Sequence, residues 1–112
     1  MFKLGKSQDY KWPVEVKLPT DGGGWTKETF DAQLRRLPQS RLDELRSKGE
    51  ASEVSDSEIC REIVVGWSGV TDGEDQVPFS PENLSRLLDI PGVAHAIVMA
   101  WIESLSGSRR KN

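Results

Sequence analysis

The apolar residues of this chain change their period near residue 38, and that change restricts the fold more than any other feature. Tyr10, Trp12, Val14, Val16 and Leu18 alternate with polar residues, as do Phe30, Ala32 and Leu34. A two-residue repeat is the mark of a half-buried strand. Between the two runs, PTDGGG (19–24) reads as a loop, because Gly22, Gly23 and Gly24 tolerate positive φ. The two runs are expected to form a hairpin over 10–37 with a loop longer than two residues. Pro13 cannot donate to a ladder, so the first strand is expected at an edge. A lone hairpin is marginal in water, so this one must pack on something else.

Beyond residue 38 the apolar residues recur three and four apart. Pro38 opens a short helix over 38–48 at the favoured first position, with Leu42 and Leu45 inward and Gly49 as its cap. EASEVSDS (50–57) is a polar connector. Ser55 and Glu58 have capping-box spacing. Ile59, Cys60, Ile63, Val64 and Trp67 then share one helical face, with Gly66 and Gly69 at its end. Residues 70–79 read as a turn with short extended arms around Asp72 and Gly73. Ser80 and Pro81 signal another helix start, striped by Leu84, Leu87 and Leu88. Pro91 stops that helix and opens the last one. Val93, Ile97, Val98, Trp101, Ile102 and Leu105 cover a broad arc of the final helix, which is expected to be the core helix and to end at Gly107. The expected class is α+β, an N-terminal β-hairpin of two main strands followed by a small bundle of three to four helices. The expected limits are a flexible N-terminus over 1–9, a single domain over 10–106 (hairpin 10–37, helical part 38–106) and a basic disordered tail over 107–112. There is no βαβ alternation to support a doubly wound sheet.

The charge is unevenly spread. Residues 1–49 carry 10 basic and 7 acidic groups, residues 50–90 carry 2 and 10, and residues 91–112 carry 3 and 1. The acidic middle opposes a phosphate backbone and favours a basic partner or plain solubility. No apolar run approaches the roughly 20 residues of a membrane span, and the N-terminus lacks the apolar stretch of a signal peptide. The one cysteine, Cys60, has no partner for an internal disulfide, which points to a reducing, cytoplasmic location.

Reactive chemistry is sparse. One cysteine and one histidine do not make a four-ligand zinc site. Cys60, on an apolar face, reads as a small core residue rather than a reactive thiol. His95 is the sole conventional general base near neutral pH, and no nucleophile shares a motif with it. The triple glycine lacks both the Lys-Ser/Thr of a P-loop and the spacing of a dinucleotide fingerprint. Asp72, Glu74 and Asp75 lack the ligand period of an EF-hand. These residues predict no catalytic group, no cofactor and no metal, and hence a protein that acts by contact. Aromatic residues on loops and rims are enriched at protein interfaces. Trp25, on the loop, reads equally as an exposed contact or an ordinary surface aromatic, Trp67 as core or rim, and Trp101 as core.

Gly66, Trp67, Gly69 and Val70 are followed by an acidic insert and then Val77, Pro78, Phe79 and Ser80. After Leu84, Leu87 and Leu88, the step Ile90, Pro91, Gly92 and Val93 leads into the terminal helix. Upstream stand Trp12, Pro13 and Val14, then Asp21, Gly22 and Gly23, then Phe30, Ala32, Arg36 and Leu37. In order and spacing this pattern, over most of residues 10–105, resembles the tail-assembly chaperones of siphophages and prophages. The resemblance implies a non-enzymatic cytoplasmic protein of the bacterial host cell. It further implies transient binding to the tape-measure protein and the major tail protein, keeping them soluble until the tube polymerises. A groove with its rim at Trp67, Val70 and Phe79 suits such a role. The alternative is a packed turn that fixes the helices, in which Phe79 staples the helix beginning at Ser80. Two other functions are open to the sequence: a structural tail or connector subunit, and a regulatory nucleic-acid-binding module using Arg35, Arg36, Arg109, Arg110 and Lys111.

Overall fold

A computed structural model describes residues 9–107. The N-terminal half is the expected hairpin. Strands β1 (Tyr10–Pro19) and β2 (Trp25–Leu34) pair antiparallel over their full length, from Tyr10 opposite Leu34 to Pro19 opposite Trp25. The five-residue connection contains a 3-10 turn at Asp21–Gly23 and is closed by the Thr20 N–H donating to the Gly24 carbonyl at 2.9 Å. Gly22 and Gly23 there take φ of 86° and 88°, a region open to glycine and strained for other residues. Residues directly opposite across a ladder share a face. Tyr10, Trp12, Val14 and Val16 therefore line the same side as Leu34, Ala32 and Phe30, and Val14, Val16, Ala32 and Leu34 are buried.

The expected second helix is cut short. Helix α1 runs over Gln39–Glu50, with Pro38 one place earlier than expected, as the residue before the helix. Gly49 does not cap it. The chain turns instead at Ser52, whose φ is 59°. Helix α2 (Asp56–Ile63) has the expected capping box: the Glu58 N–H donates to Ser55 Oγ at 3.2 Å, and the Ser55 N–H to Glu58 Oε1 at 3.1 Å. It then stops at Ile63, and Val64–Ser68 forms strand β3 on the free edge of β2, giving the order β1-β2-β3. Val64 and Trp67 are thus strand residues, not the continuation of a helix face. Their spacing misleads because of a bulge. Leu34 pairs with Val64, Gln33 with Gly66 and Ala32 with Trp67, so the extra residue Val65 shifts the alternation. Two residues three apart then share a face, as they do on a helix. Valines and a glycine at 64–66 are weak helix formers, and the open edge of β2 offers ladder bonds they can take. β1 is left at the sheet edge, where Pro13 is tolerated.

A minimal hairpin, β4 (Thr71–Asp72) and β5 (Asp75–Gln76), follows around Gly73, as the turn reading expected. Helix α3 (Pro81–Leu88) starts with the Ser80 hydroxyl accepting from the Asn83 N–H at 3.0 Å. Gly92, at φ 88°, turns the chain into α4 (Val93–Leu105). α4 lies across β1 and packs on α2 and α3. It buries Val93, Ile97, Val98 and Trp101. The Tyr10 hydroxyl meets Ser104 Oγ at 2.7 Å, and Cys60 Sγ donates to the Ala94 carbonyl at 3.4 Å. Ile102 and Leu105, expected in the core, are about half exposed, because the sheet and α2 cover only part of α4's apolar circumference. Apart from residues 9 and 107, the expected flexible N-terminus and basic tail lie outside the described residues.

Candidate functional site

Three of the four residues that sequence singles out for partner contact come together. Trp67 is the penultimate residue of β3, Gly69 turns the chain at φ 87°, and Val70 begins the return. The Val77 N–H donates to the Val70 carbonyl at 2.9 Å, which closes the acidic hairpin. The Trp67 indole Nε1–H donates to the Val77 carbonyl at 2.7 Å. Phe79 meets Trp67 edge to face, with ring centroids 5.1 Å apart and planes at 81°. Asn83 Nδ2 donates to the Pro78 carbonyl at 2.9 Å and ties this turn to α3. Trp67, Val70, Val77 and Phe79 are all half-buried. The cluster fixes the turn and still shows one side to solvent. Asp72, Glu74 and Asp75 stand exposed on the hairpin above it, with Arg86 3.6 Å from Asp72.

Trp25 stands apart from the other three. It pairs with Pro19 at the far end of the β1–β2 hairpin and is 68% exposed. Seven residues of β2 separate it from Ala32, the neighbour of Trp67, or about 23 Å at strand rise. Alternation also places it on the opposite side of the sheet from Trp67.

Sequence reasoning missed another surface. Met99, Ile102 and Leu105 are 50%, 49% and 48% exposed along the C-terminal half of α4. The signal was present. α4 is apolar nearly all the way round, and such a helix needs cover on every side.

Burial pushes the Cys60 thiol up to about 12, and the nearby Asp56 carboxylate adds to the shift, so thiolate chemistry at neutral pH is suppressed. His95 is exposed, its Nδ1 3.3 Å from Asp56 Oδ2. Arg41 of α1 donates through Nε and Nη2 to the two oxygens of Glu62 on α2, at 2.8 and 2.6 Å. That bidentate bond holds the Glu62 carboxyl below its usual range and keeps Arg41 firmly protonated. The Arg36 guanidinium lies over the Tyr10 ring, 4.7 Å from its centroid, while Arg109, Arg110 and Lys111 lie outside the described residues. Among the described residues no three histidine, cysteine or carboxylate side chains converge as a metal site would require, and no single helix is long and apolar enough to cross a bilayer.

What this arrangement offers chemically is contact: an exposed tryptophan at a hairpin tip, an aromatic turn, and an uncovered apolar helix face. No curated protein and no solved structure matches the chain. A family model described as phage tail assembly chaperone matches residues 1–112, the whole length. The chain therefore belongs to the phage tail assembly chaperone family.

Proposed function

We propose that this protein binds the tape-measure protein, the major tail protein or both during tail assembly in the cytoplasm of the bacterial host, keeps them soluble until the tube polymerises, and does so without catalysis. The observation that carries the reading is the family match over the full chain. The surface supports it. Long apolar helices aggregate unless covered, and this small protein keeps several large apolar side chains about half exposed and has an acidic middle segment. Negative charge near the contact keeps a complex soluble and makes copies of the chaperone repel. Trp25 is the proposed anchor at the hairpin tip, and Trp67, Val70 and Phe79 form the proposed rim. Tryptophan is among the residues that dominate binding energy at interfaces.

Co-expression with each tail protein tests the reading. The soluble fraction of the tape-measure or major tail protein should rise, and it should co-purify with this chain. Trp25→Ser should reduce the co-purified amount without lowering the chaperone's own stability. If neither tail protein gains solubility or co-purifies, the proposal fails.

A further inference from the structure

Helix α1 is tied to the body by few groups, and its own sequence does little to keep it helical. Leu45 is buried, Arg41 and Leu42 are half-buried, and the other nine of its twelve residues are exposed. No side chain caps its N-terminus at Pro38. Its first turn carries Arg41 and no acidic residue, the wrong sign for the positive end of a helix. Gly49, a weak helix former, lies in its last turn. The pairs Arg41–Glu44, Arg46–Asp43 and Lys48–Glu44 run along its own surface and contribute little in water. A helix of this length is marginal in water without tertiary support, even with better residues. α1 therefore depends on its docking. Leu45 sits in the core with Leu42 packed against it, and Arg41 donates two bonds to Glu62 of α2. α2 itself has its own capping box and packs on α4, so it does not lean on α1 in return.

We propose that α1 is a strap that opens as one unit, undocking and losing its helix while the sheet and α2–α4 stay folded, with Leu45 as its anchor and the Arg41–Glu62 bond as its clasp. Local opening costs only the contacts it breaks, and those of α1 are few. The hairpin, α2 and α4 instead share one core through Val14, Ala32, Leu34, Ile63, Ile97 and Trp101. The clasp is partly open to solvent, with Arg41 33% and Glu62 25% exposed, so undocking leaves no charge stranded away from water. Opening bares the apolar seat of Leu42 and Leu45. The strap thus keeps an apolar site closed in the resting protein, whichever proteins the chain binds.

Native-state hydrogen exchange of the full chain, read amide by amide by nuclear magnetic resonance, tests the strap. Amides in the middle of α1, from Asp43 to Lys48, should share one protection factor, about a hundredfold or more below that of core amides in β2 and α4. Their exchange should respond little to urea below the unfolding transition, because a small opening exposes little surface. Ile97→Ala, in the core of α4, should speed exchange in α4 and leave α1 unchanged. Glu62→Gln, which removes the charge of the clasp, should speed exchange in α1 about threefold or more. Leu45→Ala should speed it about thirtyfold or more, with the core amides of β2 and α4 still protected. If α1 exchanges only together with the core, accelerating with Ile97→Ala and with urea as α4 does, the proposal is overturned. Protection that falls smoothly from the middle of α1 to its ends also overturns it, since that is fraying and not opening as a unit. Exchange in α1 that ignores Glu62→Gln removes the clasp, and a Leu45→Ala chain that loses protection in β2 and α4 as well removes the independence of the strap.

Discussion

Replacing Trp67 by phenylalanine separates the two things this residue does. The indole N–H donates to the Val77 carbonyl at 2.7 Å, and the ring meets Phe79 edge to face at 5.1 Å. Phenylalanine keeps a ring for Phe79 and loses the donor. A net hydrogen bond contributes about 1 kcal/mol. Val77 is half-buried, so water can reach its freed carbonyl and the cost should not rise far above that value. Imperfect re-seating of a smaller ring adds about 0.5 kcal/mol. Trp67→Phe should therefore cost about 1.5 kcal/mol, which for a chain of this length lowers the melting temperature by about 6 °C. Trp67→Ala removes the ring as well and should cost about 3 kcal/mol, the lower end for a tryptophan because one side is already exposed. Urea denaturation followed by far-ultraviolet circular dichroism measures both at once, and the remaining three tryptophans allow a fluorescence check. A Trp67→Phe protein within 0.3 kcal/mol of the parent would refute the argument that the indole hydrogen bond holds the turn. Equal costs for the two variants would refute the separate contribution of the ring pair.

Other substitutions test the remaining joints. Ile97 is fully buried on α4, and Ile97→Ala should cost about 3 kcal/mol in the same denaturation assay. Ser55→Ala removes one half of the capping box of α2 and should cost about 1 kcal/mol. Glu62 has a carboxyl held below its ordinary value of 4.5, mainly by the hydrogen bond from Arg41. Because the folded value is the lower one, its stabilisation is present above 4.5 and is lost as the pH falls through the folded value. Glu62→Gln should therefore melt lower than the parent at pH 7, and the gap should close on acidification below 4.5. A gap that stays constant with pH would show that the ion pair is not its source.

The period of the apolar residues made the hairpin legible, because alternation over 10–18 and 30–34 survives unchanged in the ladder. The caps at Ser55 and Ser80 were legible because each rests on local chemistry, a hydroxyl three residues before an orphan N–H. The third strand was not. A bulge at Val65 gives Val64 and Trp67 a helical spacing, and only the free edge of β2, a long-range fact, decides between the two structures. The exposed stripe of α4 was hidden for a similar reason. Residue type marks Met99, Ile102 and Leu105 as apolar, but which side of an all-round apolar helix finds cover depends on where the sheet and α2 end. The aromatic turn was half legible. Sequence brings Trp67, Val70 and Phe79 within fifteen residues of each other, while the bond from the indole to Val77 appears only in three dimensions.

The most direct test of a transient, assembly-only role is quantitative mass spectrometry of two samples from one infected or induced culture. In complexes captured on this chain during assembly, the tape-measure or major tail protein should be present in amounts comparable to the chaperone. In purified finished particles the chain should be missing. Its retention in particles at a fixed copy number per tail would contradict the account and make it a structural subunit instead, and capture without either tail protein would leave it no client to chaperone.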